Sequence, residues 1–295
     1  MYSFILIYFY PIKYFFVDTL LYFFAIFGMV KNAKYAILSF SGGLDSTSLL
    51  INLLYNKFNI QCITFDYGQN HLIEIEKAKL NIQYLNDNGF NSRIEHRVVN
   101  IKDAFNSKGS SLFKNSEDIP RGHYEDSNML STFVPNRNSI FTSILYGYGI
   151  TISKNNNNSE VLISLGVHSG DHTIYPDCRK EFYVNLFNAF KEGNWDSDKI
   201  KIYLPYLNMD KTKILSDAKK SIKKNNLDFN TIFKNTITSY EPDSEGRSSG
   251  KTGSDIERIL AFYNNGLKDP IDYVDDWDTV LNNARTTELN FNKTI

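Results

Sequence analysis

The sequence predicts an α/β fold in which a parallel β-sheet carries helices on both faces, followed by a small C-terminal appendage. Short apolar runs of strand length alternate with longer runs whose apolar residues recur at helical spacing. A glycine-rich turn joins the first of these strands to the first helix. Hydrophobic residues make up 42% of the 295 residues, which is enough to bury a sizeable core.

Each element follows from its local pattern. Apolar runs bounded by polar residues predict strands at residues 35–40, 60–66, 93–99, 161–165 and 200–204. Apolar residues three or four positions apart predict helices at residues 46–56, 71–88, 138–153, 179–191, 211–222 and about 254–263. The second helix closes at Asn88-Gly89, a common stop signal. Parallel strands need crossover helices of this length, so the alternation predicts a sheet covered on both faces.

Composition divides the chain into three parts. Residues 1–28 form a hydrophobic extension, and residues 29–234 carry the alternating elements. Residues 235–295 form a C-terminal segment in which Ser, Gly, Asp and Asn dominate. The polar stretch at residues 101–130 is too long for an ordinary connection and is typical of a lid, a binding loop or a mobile segment.

The N-terminal extension is strongly aromatic, but Pro11, Lys13 and Asp18 interrupt it. No apolar run therefore approaches the roughly 20 residues that a spanning helix needs. Three interpretations stay open: a membrane anchor, an extra packed helix, or an upstream extension absent from the working protein. The third is favoured, because Met29 stands just before the first predicted strand.

Charge and cysteine content exclude several classes of protein. The chain has 32 Lys and Arg against 33 Asp and Glu, a net charge of −1, which argues against binding nucleic acid through bulk charge. Cys62 and Cys178 are its only cysteines, which excludes a disulfide framework and a zinc site of four cysteines. We therefore expect a cytoplasmic protein with no direct nucleic-acid partner.

The turn Ser41-Gly42-Gly43-Leu44-Asp45-Ser46 carries the strongest functional signal. Glycines let the backbone approach a polyanion, and the N–H groups of the turn and of the following helix can bind phosphate oxygens. The hydroxyls of Ser41, Ser46 and Thr47 can add to these contacts. An ordinary strand–helix turn is the alternative, but the S-G-G-x-D-S pattern in this context favours a phosphate site.

Three further motifs follow the turn in order: FDYGQ at residues 65–69, VPNRN at 134–138 and YPDCR at 175–179. With the turn, they resemble the 7-cyano-7-deazaguanine synthases of the queuosine pathway. These belong to the PP-loop ATP pyrophosphatases, whose fold is adenine nucleotide alpha hydrolase-like. The resemblance extends from about residue 35 to residue 273.

The resemblance implies a reaction. Enzymes of this family convert 7-carboxy-7-deazaguanine and ammonia to the 7-nitrile, using ATP and Mg²⁺ and releasing AMP and pyrophosphate. The resemblance does not fix the oligomeric state, and a homodimer is one assembly that it allows. Two alternatives also stay open: a diverged paralogue that stops at the amide or conjugates a deazaguanine acyl group to another acceptor, and a non-catalytic ATP-binding protein.

The resemblance also implies site residues. Asp45, Arg137 and Lys211 are the catalytic candidates, with Asp45 a direct or indirect partner for Mg²⁺. The candidates for holding the deazaguanine substrate are Asp171, Tyr175, Asp177 and Arg179. The residues assigned to ATP are Phe40, Ser41, Gly42, Gly43, Leu44, Asp45, Ser46, Thr47, Ser48, Leu49, Leu50 and Tyr67.

Other polar residues have weaker signals. Cys178 is either a catalytic thiol or a small residue that fixes its turn. His71, His123, His168 and His172 show no metal-ligand spacing, and we expect them at the surface or at the edge of the site.

The chain departs from the family near its C-terminus, where the family carries four cysteines that bind one zinc ion. The corresponding positions here are Ser239, Ser249, Thr252 and Asp255. Hydroxyls are poor zinc ligands and one carboxylate cannot hold the ion, so we predict no structural zinc. The segment is then either looser, or held by packing of its apolar residues Ile256, Ile259, Leu260 and Phe262.

Overall fold

The structure, a computed structural model, describes residues 33–69, 73–105, 110–113, 120–125, 127–170, 175–239 and 241–294. The predicted extension at residues 1–28 lies outside the described residues, as do Asp171, His71 and His172. Residues Lys34–Ile295 form one compact unit.

The five predicted strands are present, and each prediction matches its strand to within about two residues. They are β1 (Lys34–Ser39), β2 (Phe58–Asp66), β3 (Ile94–Asn100), β4 (Val161–Ser164) and β5 (Ile200–Tyr203). Their order in the sheet is β3-β2-β1-β4-β5, and every neighbouring pair is parallel, which confirms the predicted fold class.

The order of the strands places a crevice beside β1. Tyr35 of β1 lies opposite Asn59 of β2 on one side and Val161 of β4 on the other. The chain adds strands to one side of β1 and then crosses to the other, so the connections after β1 and β4 lead in opposite directions. Ligands of open parallel sheets bind at such a reversal, outside the carboxyl ends of the strands.

The helices cover both faces of the sheet. They are α1 (Leu44–Tyr55), α2 (Ile73–Leu85), α3 (Arg137–Asn155), α4 (Lys180–Gly193), α5 (Lys211–Lys224), α6 (Phe229–Lys234), α7 (Gly253–Asn264) and α8 (Trp277–Thr294). Short helical turns are also present at Asn86–Phe90, Lys102–Ala104, Ser127–Thr132, Pro176–Cys178 and Ser197–Lys199. Within the described ranges, no helix combines the length and the apolar content needed to cross a bilayer.

Two apolar layers enclose the sheet. Successive residues of a strand point to opposite faces, so Leu38 joins one layer and its neighbour Ile37 joins the other. The first layer includes side chains of α1, α5 and α7. The second includes side chains of α3 and α4, such as Leu145 and Tyr183. The sheet is therefore buried on both faces, as its continuous apolar strands predict.

The C-terminal segment is held by apolar packing. Ile256 and Ile259 of α7 are buried against Val280 and Ala284 of α8. Helix α8 is not predicted from its sequence, because Asn, Thr and charged residues dilute its apolar spacing. Helix α6 is not predicted either, since its six residues are too few to show a helical period.

Candidate active site

The residues after β1 form a tight turn that glycine makes possible. Gly42 has a φ of +83°, and a Cβ placed on it would lie 2.6 Å from the carbonyl oxygen of Glu74. Gly43 is the N-cap of α1 and provides no side-chain cap, so the first N–H groups of the helix have no capping side chain. The hydroxyl oxygens of Ser41 and Ser46 lie 3.0 Å apart. Such a turn can bind phosphate oxygens through backbone and hydroxyl groups.

Two polar atoms of the turn are buried without a hydrogen-bond partner among the described residues. They are Thr47 Oγ1 and Asp45 Oδ1. Buried polar atoms in folded proteins nearly always have a partner, and an unsatisfied one points to a ligand or an ion. Thr47 does not line the cavity described below, whereas Asp45 does, and a carboxylate oxygen is a donor atom that Mg²⁺ prefers. The residues present therefore fit both ATP and Mg²⁺.

A buried lysine lies beside this turn. Lys211 is the first residue of α5 and is 3% exposed. Its Nζ lies 3.5 Å from Asp45 Oδ2 and 2.9 Å from Glu257 Oε2 of α7. Lys211 lines the cavity with its ammonium beside these two carboxylates, and its catalytic role stays a prediction.

His168 follows β4 and also belongs to this cluster. Its Nε2 lies 3.9 Å from Asp45 Oδ2 and its Nδ1 lies 3.9 Å from Glu257 Oε1. The backbone N–H of Gly170 donates to Nδ1 at 3.2 Å. His168 is 2% exposed, so it is a buried site residue rather than a surface one. Sequence reasoning missed Glu257, which lies in no family motif and reaches the site only through the packing of α7.

Arg137, Glu74 and Tyr67 also line the cavity that contains Lys211. The guanidinium of Arg137 lies 5.9 Å from the centroid of the Tyr67 ring, within the range of a cation–π contact. Burial raises the pKa of the Glu74 carboxyl to about 7, although the nearby Arg137 charge lowers it. Burial also raises the pKa of the Tyr67 hydroxyl, again opposed by Arg137. Glu74 therefore can change its charge near neutral pH.

The VPNRN and YPDCR motifs meet at the start of α3. The backbone N–H of Asn138 donates to Asp177 Oδ2 at 3.4 Å. The Asn138 side chain donates to the carbonyl oxygen of Asp177 at 3.5 Å and to Cys178 Sγ at 3.4 Å. These contacts give Asp177 a role in joining the two motifs. Burial is the main cause that raises the pKa of the Asp177 carboxyl.

One cavity collects most of the predicted site residues. Those that line it are Phe40, Ser41, Gly43, Leu44, Asp45, Ser46, Tyr67, Arg137, Tyr175 and Lys211. His168, Glu74 and Cys178 line it as well. Among the described lining residues, neither Asp177 nor Arg179 appears, and Arg179 is exposed.

Five residues assigned to ATP do not line this cavity: Gly42, Thr47, Ser48, Leu49 and Leu50. Leu49 and Leu50 are fully buried in the apolar layer, and the Ser48 hydroxyl donates to the carbonyl oxygen of Leu44 within α1 at 2.8 Å. These three side chains face the core because α1 packs on the sheet from its first turn. The structure gives them a packing role, and their assignment to ATP stays a prediction.

The four positions at which the family carries zinc-binding cysteines lie together. The hydroxyls of Ser239, Ser249 and Thr252 all donate to Asp255 Oδ2, at 3.0, 3.1 and 2.9 Å. Asp255 Oδ2 is thus occupied by hydrogen bonds, whereas Oδ1 of the same carboxylate is buried without a hydrogen-bond partner among the described residues. One carboxylate with neutral hydroxyls around it is a poor set of zinc ligands. These residues do not fit Zn²⁺. In the described part of the chain, no group of three or more His, Cys, Asp or Glu residues is arranged to hold a metal ion.

A parallel sheet with a glycine turn and a buried lysine beside its switch point is the arrangement of an open α/β fold with its ligand site at the carboxyl ends of the strands. A family model described as queuosine biosynthesis protein QueC matches residues 35–266. The chain belongs to this family, and the protein is therefore an enzyme of queuosine biosynthesis, as its motifs predict.

Individual relatives agree with the family model. The 7-cyano-7-deazaguanine synthase of Psychromonas ingrahamii is 37% identical over 245 residues, which cover 82% of this chain and 99% of that protein. A second, from Colwellia psychrerythraea, is 36% identical over 241 residues, covering 82% and 99%. A third, from Methanoregula boonei, is 36% identical over 238 residues, covering 81% and 98%.

Proposed function

We propose that the protein converts 7-carboxy-7-deazaguanine and ammonia to 7-cyano-7-deazaguanine, using ATP and releasing AMP and pyrophosphate. The observation that supports this most directly is the Asp45 carboxylate with the Lys211 ammonium 3.5 Å away, both lining one cavity beside the glycine turn. The carboxylate fits the metal ion of a polyphosphate, and the lysine adds a cation beside it. Arg137 lines the same cavity and can bind a second anion.

The first half of the reaction makes the substrate carboxylate reactive. A carboxylate is a poor electrophile, because attack on it must push electrons onto an anion. Its oxygen attacks the α-phosphorus of ATP, the bond to pyrophosphate breaks, and an acyl adenylate forms. Lys211 stabilises the negative charge on the phosphate during this step, and Arg137 holds the carboxylate in place. Mg²⁺, when bound through Asp45, would neutralise further charge on the phosphates.

The second half forms the nitrile. Ammonia attacks the acyl carbon, AMP leaves, and the amide forms with loss of a proton. The amide oxygen then attacks the α-phosphorus of another ATP and displaces pyrophosphate, and loss of AMP and of both protons from the nitrogen gives the nitrile. Tyr175 lines the cavity, which supports its assignment to packing against a ring of the substrate.

The test is to incubate the full chain with 7-carboxy-7-deazaguanine, ATP, Mg²⁺ and ¹⁵N-ammonium, and to measure AMP and the labelled product by mass spectrometry. We expect labelled nitrile, with two AMP released for each nitrile formed. Lys211→Ala is the negative control. A folded preparation that releases no AMP contradicts the proposal.

The diverged paralogue that forms an amide gives a different result in the same assay. It releases one AMP for each labelled amide and makes no nitrile. This alternative is considered because the four zinc-binding cysteines of the family are replaced in this chain. Because the substituted side chains still converge on Asp255, this loss does not by itself favour a changed reaction.

A further inference from the structure

The Lys211 ammonium lies between two carboxylates that come from distant parts of the chain. Its Nζ lies 2.9 Å from Glu257 Oε2 and 3.5 Å from Asp45 Oδ2. The Lys211 side chain is 4% exposed, so little water screens these charges. The shorter contact is to Glu257, which belongs to the C-terminal segment rather than to the phosphate-binding turn. Glu257 therefore has the larger influence on where the ammonium lies.

We propose that Glu257 is a positioning residue that holds the Lys211 ammonium and keeps it from closing onto Asp45. The proposal rests on the proposed function, in which Lys211 neutralises the phosphate under attack and Asp45 serves Mg²⁺. Without Glu257, the nearest described carboxylate is that of Asp45. A direct Lys211–Asp45 pair would neutralise both groups and move the cation toward the turn.

The fold fixes α7 on both sides of Glu257. Before it, Asp255 and Thr252 close the N-terminus of the helix through reciprocal hydrogen bonds. After it, the fully buried Arg258 donates to both carboxylate oxygens of Asp269, at 2.6 and 2.9 Å. A side chain between two such anchors has little freedom of backbone position. The hydrogen bonds from Ser239, Ser249 and Thr252 to Asp255 thus support the site, because they help to fix the helix that carries Glu257.

The opposite wall is shaped to admit the Glu257 carboxylate. A Cβ placed on Gly170 would lie 2.7 Å from Glu257 Oε1, closer than real contacts of this kind. Another residue at position 170 would therefore require the Glu257 side chain to shift, and glycine lets the carboxylate stay where it contacts Lys211.

The test compares Glu257→Gln and Glu257→Asp with Asn265→Ala as a matched control. Asn265 also links α7 to α5, because its side chain donates to the carbonyl oxygen of Thr212 at 3.0 Å, but it makes no contact with the ammonium. We expect Glu257→Gln to lower kcat for AMP release on the order of tenfold to a hundredfold. Glu257→Asp, which keeps the charge, recovers part of the rate, and Asn265→Ala stays near wild type.

A second readout needs neither ATP nor substrate. The rate at which an amine-acylating reagent modifies Lys211 is measured against pH by mass spectrometry, in the unliganded protein. Loss of the paired anion in Glu257→Gln shifts the modification of Lys211 to lower pH, whereas Asn265→Ala leaves it unchanged. If Glu257→Gln matches the control in both kcat and acylation, Glu257 has no positioning role. If wild type releases no AMP, the proposed function fails, and the acylation profile alone decides the role of Glu257.

Discussion

Thr252 and Asp255 bind each other reciprocally at the start of α7. The Thr252 hydroxyl donates to Asp255 Oδ2 at 2.9 Å and accepts from the backbone N–H of Asp255 at 3.3 Å. The Thr252 backbone N–H also donates to Asp255 Oδ2, at 3.3 Å, which completes a capping box. Both residues stand where the family carries zinc-binding cysteines. A helix cap therefore occupies the place of a metal site.

This arrangement predicts a fold that does not depend on zinc. Structural zinc in small modules supplies on the order of 10 kcal/mol, and a protein that uses it unfolds when the metal is removed. We expect the purified protein to contain substoichiometric zinc by elemental mass spectrometry, and its Tm to be the same with and without EDTA. A stoichiometric zinc content, or a Tm that falls in EDTA, contradicts this prediction.

We expect the stability of the protein to depend instead on Asp255, the acceptor that the hydroxyls of Ser239, Ser249 and Thr252 share. Asp255→Ala removes one half of the capping box and leaves three hydroxyls, those of Ser239 and Thr252 buried, without their shared acceptor, so we expect the free energy of unfolding to fall by about 2–4 kcal/mol. Urea denaturation measures this change. Asp276→Ala is the matched control, because Asp276 accepts from the Thr279 backbone at the start of α8 at an exposed position. It should cost only about 1 kcal/mol. Equal losses in the two variants contradict a special role for this shared acceptor.

The same positions should bind zinc once the ligands are restored. Because three side chains already converge on the fourth, a variant with cysteine at Ser239, Ser249, Thr252 and Asp255 has thiolates close enough to share one ion. We expect it to bind one zinc per chain and to lose stability in EDTA. A variant with cysteine at only Ser239 and Ser249 is the control and should bind the ion far more weakly. If the quadruple variant binds no zinc, the four positions do not share the geometry of a metal site.

Replacing Gly42 with alanine should lower stability, whereas replacing Gly43 with alanine should weaken ATP binding. Gly42→Ala forces a positive φ and a 2.6 Å approach to the Glu74 backbone, so we expect a loss of about 2–4 kcal/mol in stability. At Gly43 the nearest atom to an added Cβ is Ser41 Oγ at 3.3 Å, which allows the fold. Its methyl group would still stand in the phosphate site. We therefore expect Gly43→Ala to keep its Tm and to weaken ATP binding about tenfold by calorimetry. Wild-type ATP affinity in Gly43→Ala contradicts the proposed use of the turn.

Local patterns sufficed to predict the sheet and most of its helices. The central residues of β1, Ala36, Ile37 and Leu38, are apolar because both faces of the sheet are buried, and the glycine turn follows soon after. The contact between Lys211 and Glu257 could not be predicted, since it depends on how α7 packs against α5. The burial of His168 was missed for a similar reason. Its only local signal is its position just after β4, at the carboxyl edge of the sheet.

The raised pKa of Glu74 predicts how ligand binding depends on pH. Burial moves the pKa of this carboxyl from 4.5 to about 7, so the folded protein holds a proton there that the unfolded chain releases. Stability from this group is complete below about pH 4.5 and is lost as the pH rises through about 7. Above that pH the cavity gains a negative charge, which opposes a polyanion. We expect the affinity for ATP with Mg²⁺ to fall on the order of tenfold between pH 6 and 8.5 by calorimetry.

Glu74→Gln should flatten this dependence, because glutamine keeps the shape of the side chain without the titration. Glu76→Gln is the matched control: Glu76 lies in the same first turn of α2, but its side chain is 66% exposed and pairs with Lys79. It should keep the pH profile of the wild type. The two variants should also separate in urea denaturation, where Glu74→Gln gains stability over wild type at pH 8 but not at pH 5. If wild type and Glu74→Gln show the same pH profile for affinity, Glu74 does not titrate in the cavity, and the decline has another source.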